Sequence, residues 1–197
     1  MKAHWESRYG QEEFSYGTEP NIFLRESLAS LPAGKILLPG EGEGRNAVYA
    51  ASQGWEVDAF DFSEKGREKA LGLADKHSVQ LNYSIGDYAS YEPQSNHYDA
   101  IGLIYTHTLP DTRPLLHLKM ANALKVGGKV VLQAFSKSQL GKSTGGPKQL
   151  DMLFSIEELS KDFAGLTIEL LEQSEVELSE GIYHRGTASV INMIAKK

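Results

Sequence analysis

The stretch from Lys35 to Gln53 constrains the fold more than any other. A short apolar run, Lys35–Pro39, enters the turn Gly40-Glu41-Gly42-Glu43-Gly44, and a helix-like segment, Arg45–Gln53, leaves it. A strand that turns this sharply into a helix opens a β-α-β unit, which commits the chain to a mostly parallel sheet covered by helices. The rhythm continues. Glu56–Phe60, Gln80–Ile85, Asp99–Tyr105 and Lys129–Phe135 read as strands two to five, each short, apolar or β-branched and bounded by turn residues. Glu64–His77 and Thr112–Leu124 read as the helices between them. Gly54 and Gly127-Gly128 stand where helices stop, and Pro20 stands where one can start. Ser155-Ile156-Glu157-Glu158 fits a capping box, so a further helix is expected there. The tail changes character: Leu166–Leu178 and Thr187–Ala195, with only Ser179–Gly186 between them, predict a β-hairpin and not another crossover.

The length of 197 residues and 41% hydrophobic content suit one domain over residues 1–197 with a single core. Two segments fall outside the regular pattern. Residues 1–30 hold Trp5, Tyr9, Phe14 and Tyr16, and residues 136–153 form a long, basic, glycine-rich loop. Loops of that length in a compact domain are usually functional, and both segments are expected to cover the carboxyl edge of the sheet as lids. The formal charge of −6 argues against binding nucleic acid or an acidic membrane. The absence of cysteine excludes disulfides, thiolate nucleophiles and cysteine-held zinc, and no paired histidines show a metal-ligand spacing, so no metal is expected. The N-terminus lacks an apolar signal core and no run is long enough to span a bilayer, so a cytoplasmic location is the expectation.

Open α/β sheets bind ligands at the carboxyl ends of their strands, and three such ends carry suitable groups. At the first, Gly40 and Gly42 let backbone approach a nucleotide-like ligand, with Glu41 and Arg45 beside them. At the second, Asp61 follows Gly44 by 17 residues, where a carboxylate accepts from both ribose hydroxyls; Phe62 and Ser63 complete that loop. Phe60, and at first sight Phe62, read as core. At the third, Gly86-Asp87-Tyr88 offers Asp87 to an adenine amine and Tyr88 to its ring, a reading preferred to the alternative that Asp87 only caps Tyr88–Tyr91. Dinucleotide-binding proteins share the turn and the ribose carboxylate, so an NAD(P)-dependent oxidoreductase is the alternative. The spacing and charge favour another cofactor. The third glycine comes one residue early for the dinucleotide pattern, and Glu41 and Glu43 would repel a pyrophosphate while suiting a ligand with an ammonium and a sulfonium.

The segment Ile36–Ala47 resembles the first motif of class I S-adenosylmethionine-dependent methyltransferases, in particular the TehB-like branch associated with tellurite resistance. Trp5-Glu6-Ser7-Arg8-Tyr9, Tyr16–Asn21, Gly145–Lys148 and Glu180–Gly186 resemble the same branch, so the likeness covers nearly the whole chain. It implies a Rossmann-like three-layer α/β/α sandwich whose seven-stranded, mostly parallel sheet ends in an antiparallel strand. It also implies S-adenosyl-L-methionine as cofactor. Leu38 and Glu41 depart from the acidic and small residues that many relatives carry there.

Two other patterns fail on context. Gly141-Lys142-Ser143 lacks the first glycine and the helix of a phosphate-binding loop, and Gly141–Gly145 lacks the strand-to-helix elbow of a serine hydrolase. At the reacting face, the fourth strand delivers Tyr105 and then His107, and the hairpin brings His184. Either histidine can hold an anion or accept a proton near neutral pH, and Tyr16 is placed to meet the acceptor. The expected acceptor is a small molecule, possible nucleophiles being tellurium, selenium or thiol species; a non-catalytic cofactor-binding module fits the same residues.

Overall fold

The computed structural model describes residues 2–197. Its strands are β1 (Lys35–Pro39), β2 (Glu56–Asp61), β3 (Asn82–Ile85), β4 (Tyr98–Ile104), β5 (Leu124–Phe135), β6 (Thr167–Glu180) and β7 (His184–Lys196). They form one sheet in the order β3-β2-β1-β4-β5-β7-β6. The first five pair in parallel, and β7 runs antiparallel between β5 and β6. The helices are α1 (Lys2–Tyr9), α2 (Ile22–Ala29), α3 (Arg45–Ser52), α4 (Glu64–Lys76), α5 (Arg113–Ala123) and α6 (Ile156–Asp162).

Strand alternation builds the layers. In β1, Ile36 and Leu38 face one side with Leu24, Leu28, Ala47, Ala50 and Ala70, contributed by α2, α3 and α4. Leu37 faces the other with Leu116, Met120, Leu159 and Phe163 of α5 and α6 and its C-terminal end. A strand buried on both faces must be apolar at successive positions, which is why Ile36-Leu37-Leu38 is a continuous run. The seven-stranded α/β/α sandwich is therefore the expected fold, and no helix of the described residues is long and apolar enough to cross a membrane.

Several boundaries differ from the sequence reading. Gly127 and Gly128 do not end α5; β5 begins directly at Leu124, and the two glycines sit within it beside a register shift against β4. A side chain on Gly128 would meet the carbonyls of Tyr98, Lys125 and Asp99 at about 3 Å, so close backbone approach explains the glycine better than a cap. Pro20 precedes its helix without opening it: Asn21 is the cap, its side chain accepting from the Leu24 N–H at 3.0 Å. Residues 2–9 form a helix that the short, mixed N-terminal sequence did not announce. The capping box at Ser155 is present with both of its bonds.

The hairpin is longer than expected, with only 181–183 between its strands. β7 pairs with β5 along Val190–Lys196, whereas its pairing with β6 continues to His184 opposite Glu180. The far end therefore projects beyond β5 over the carboxyl edge of the sheet. There the Ile182 N–H donates to the Ser15 carbonyl at 3.1 Å, tying the hairpin tip to the N-terminal segment.

Candidate active site

At that edge lies a cavity of about 740 Å³, within the range that accommodates cofactor-sized ligands. The glycine turn forms its floor, residues of the N-terminal segment and the hairpin one wall, and Gly146–Gln149 with Met152 its roof. Both segments set aside from the regular pattern thus border it.

The turn is shaped by backbone. Gly40, Gly42 and Gly44 all have positive φ, and Gly44 at +90° enters α3. A methyl group on Gly44 would lie 2.5 Å from the Ala70 side chain and 2.7 Å from its Cα, both on a packed helix. Backbone strain and overpacking together predict that Gly44→Ala destabilises the fold by about 3 kcal/mol. Chemical denaturation checks this; an unchanged midpoint and slope would contradict it. At Gly42 a methyl group would meet the Tyr9 hydroxyl at 2.6 Å, so that glycine lets α1 close against the turn.

Glu41 and Glu43 do different work from one another. Glu41 accepts from the N–H groups of Asn46 (2.9 Å) and Ala47 (2.7 Å), capping α3 in place of the side chain Gly44 lacks. Burial raises its pKa to about 7, against those bonds and the charge of Arg45. The donors that bind a pyrophosphate at such a helix terminus are therefore already taken by a carboxylate. Glu43 faces Lys69 at 2.9 Å and accepts from the Ser15 N–H at 2.8 Å, so its charge is neutralised and it anchors the N-terminal segment. Only Glu41 carries the electrostatic argument that the sequence assigned to both.

Asp61 is buried at the end of β2, accepting from the N–H groups of Ser63 (2.8 Å) and Gly42 (3.2 Å). Burial raises its pKa to about 6 in spite of those bonds. A carboxylate so placed, with no cationic side chain bonded to it among the described residues, gains from a ligand that brings hydroxyl donors or positive charge. Ser63 caps α4, its hydroxyl accepting from Gly66, and Phe62 lines the cavity. Tyr88 lines it too, its hydroxyl against Gly40. Gly86 and Asp87 do not line it: Asp87 is exposed and accepts from the Ala89 and Ser90 N–H groups and the Ser90 hydroxyl at 2.8–2.9 Å. That is the capping arrangement.

The two histidines separate. His107 has both ring nitrogens engaged, Nδ1 donating to the Met152 carbonyl at 2.8 Å and Nε2 accepting from the Phe135 N–H at 3.0 Å. Burial lowers its pKa to about 4, so it is a neutral bridge between β5 and the roof loop. His184 differs. Its Nδ1 donates to Glu180 at 2.9 Å, Nε2 has no hydrogen-bond partner among the described residues, and the residue lines the cavity. Its ring packs 4.5 Å from Tyr16, 4.8 Å from Tyr105 and 5.3 Å from Phe135. Burial lowers the His184 pKa against the opposing pull of Glu180, leaving the ring neutral and basic at Nε2. Glu180 itself is held down to about 2, since His184 and Arg45 outweigh its burial. Arg45 reaches Glu180 at 3.1 Å and the Tyr16 carbonyl at 3.2 Å, so its guanidinium orients the dyad.

Tyr105 directly follows β4 with φ of +55°, a strained value for a tyrosine. Its hydroxyl donates to Gln133 at 3.0 Å, Asn21 donates to the same oxygen at 2.7 Å, and its ring stacks on Phe135 at 4.6 Å. The sequence reading missed Arg8, Asn46, Phe135, Met152 and Glu180 as cavity or supporting residues. Only the spacing Glu180-x-x-x-His184 offered a signal, and it becomes meaningful once a hairpin turn brings the two together.

The methyltransferase-domain family model matches residues 36–128. The matched residues hold the glycine turn and the strands β1 to β4 that floor the cavity, so the likeness to methyltransferase domains covers this part of the site. A probable thiol methyltransferase of Arabidopsis thaliana is 27% identical over 77% of this chain, which spans 66% of that relative's length. An uncharacterized methyltransferase of Schizosaccharomyces pombe is 26% identical over 52% of this chain and 72% of its own. Among solved structures, TehB from Haemophilus influenzae superposes with a TM-score of 0.75 at 18% identity, covering all of this chain and 66% of the other. A protein studied for converting a disulfide bond into a thioacetal group during echinomycin biosynthesis gives 0.76 at 17% identity, covering all of this chain and 90% of that one.

Proposed function

We propose that this enzyme transfers the methyl group of S-adenosylmethionine to a small thiol, with His184 as the base. The observation that carries the reading is the His184–Glu180 pair: a cavity-lining imidazole whose pKa burial lowers, held at Nδ1 by a buried carboxylate, with Nε2 left without a hydrogen-bond partner among the described residues. An acceptor that reacts through a lone pair without losing a proton, as an oxyanion of selenium or tellurium can, leaves such a base idle. A thiol, with an ordinary pKa near 8.5, benefits from it.

Asp61 would accept from the ribose hydroxyls, Gly40 and Glu41 would face the methionine end, and Phe62 and Tyr88 would flank the adenosine, whereas Gly42, with its N–H bonded to Asp61 and its carbonyl to the Tyr83 hydroxyl, shapes the turn from behind the cavity lining. Glu41 complements the positive charge there. The cofactor, when bound, supplies a methyl group on a sulfonium. Opposite it, Nε2 of His184 would accept the proton that the acceptor S–H gives up on methylation. The roof loop and the N-terminal segment exclude water, which strengthens every charge interaction inside. The resemblance of the plant thiol methyltransferase supports the same acceptor class.

A methyl-donor consumption assay against small thiols, selenite and tellurite tests this. Thiols are expected to be methylated, with the rate rising as pH increases through the depressed His184 pKa, below 6.5, because only the neutral ring takes a proton. Consumption with the oxyanions alone would overturn the thiol reading.

A further inference from the structure

Three cations border the cavity: Arg8, Arg45 and Lys148. Two are committed. Arg45 is paired with Glu180, and the Lys148 ammonium turns back to the Lys142 carbonyl at 3.2 Å. Arg8, half-buried on α1, has no carboxylate within ion-pairing distance among the described residues. One guanidinium nitrogen donates to the Tyr16 hydroxyl at 2.7 Å, and the group lies 4.1 Å from the centre of the Tyr183 ring and 5.2 Å from that of Trp5. These contacts fix the plane of the guanidinium without neutralising it, and they leave donors unmet. Tyr16 in turn packs against His184. A fixed positive charge and an open imidazole nitrogen thus share one wall, on either side of a single tyrosine.

We propose that Arg8 is the anion anchor of the acceptor site, and that the acceptor is a thiol carrying a carboxylate. The proposal rests on the thiol reading above and sharpens it. The cavity carboxylates cannot serve Arg8: Glu41 caps α3, Glu43 is held by Lys69, and Asp61 sits beneath the turn. The missing counter-charge therefore has to arrive with a ligand, and a planar carboxylate matches the guanidinium fork; the methionine carboxylate of S-adenosylmethionine is the competing source, and an Arg8 that served it would alter cofactor affinity and leave the selectivity between acceptors unchanged. The rival role is structural: through Tyr183, Arg8 would merely clasp α1 to the hairpin tip.

Selectivity separates the two roles. With protein saturated in S-adenosylmethionine, kcat/KM is measured for 3-sulfanylpropanoate and for 3-sulfanylpropan-1-ol, which differ in the carboxylate alone. The wild type is expected to prefer the carboxylate by about tenfold or more, the ratio falling to within threefold of unity in Arg8→Gln and staying intermediate in Arg8→Lys. A clasp would lower both rates together and leave the ratio unchanged, which overturns the proposal, as does absence of any preference in the wild type. Should Arg8→Gln fail to fold, the wild-type preference and the Arg8→Lys ratio still decide. Methylation of neither thiol, with S-adenosylhomocysteine binding intact by calorimetry, overturns the thiol reading itself and is a different pattern from a lost preference.

Discussion

Replacing Asp61 with alanine is expected to weaken S-adenosylmethionine binding by about 100-fold or more. Each charge-assisted hydrogen bond to a buried carboxylate contributes about 1.5–3 kcal/mol, and the substitution would remove the two ribose bonds proposed for Asp61 together with the acceptor for Gly42 and Ser63. Calorimetry gives the Kd directly, and an unchanged Kd would show that the cofactor does not use this carboxylate. The same group sets a pH dependence. With its pKa near 6, Asp61 is ionised above that value, so cofactor affinity is expected to fall as pH drops through about 6 and to be flat above about 7. The variant should lose this limb.

The second large effect concerns His184. A positioned base contributes about 10²–10⁴ in rate, so His184→Ala is expected to reduce kcat for a thiol by at least about 100-fold while changing the cofactor Kd by less than about threefold. The deficit has a signature that simple loss of packing lacks: it should shrink as pH rises towards 9, where the thiol ionises without help. Glu180→Gln is expected to lower the rate by about tenfold, because the imidazole stays in place but loses the carboxylate that orients it and supports its positive charge. A His184→Ala enzyme with wild-type rates at pH 7 would remove the base from the mechanism.

How much of this was legible in the sequence varied by element, for physical reasons. The parallel core was, because β1 must be apolar on both faces and the glycine turn is set by local backbone. The hairpin was legible as a hairpin but not as an arm over the site; that depends on β7 pairing with β5 only along its second half. Glu41 reads in the sequence as a charge facing the ligand, and its position three residues before Gly44, which enters α3, also makes it the cap of α3, a role that only the turn geometry reveals. His107 and His184 looked equivalent. The difference is whether neighbouring backbone groups consume both ring nitrogens, and the groups responsible, Phe135 and Met152, are 28 and 45 residues away from His107 in sequence. Arg8 and Glu180 were missed for the same reason: their meaning lies in which partners they find, or lack, across the fold.

The most direct test of the central claim follows the methyl group itself. Protein incubated with S-adenosylmethionine labelled in its methyl group and 3-sulfanylpropanoate should yield labelled thioether and S-adenosylhomocysteine in equal amounts, with no dependence on NAD or NADP. Stabilisation by a nicotinamide dinucleotide, with no binding of S-adenosylmethionine and no labelled product, would contradict it.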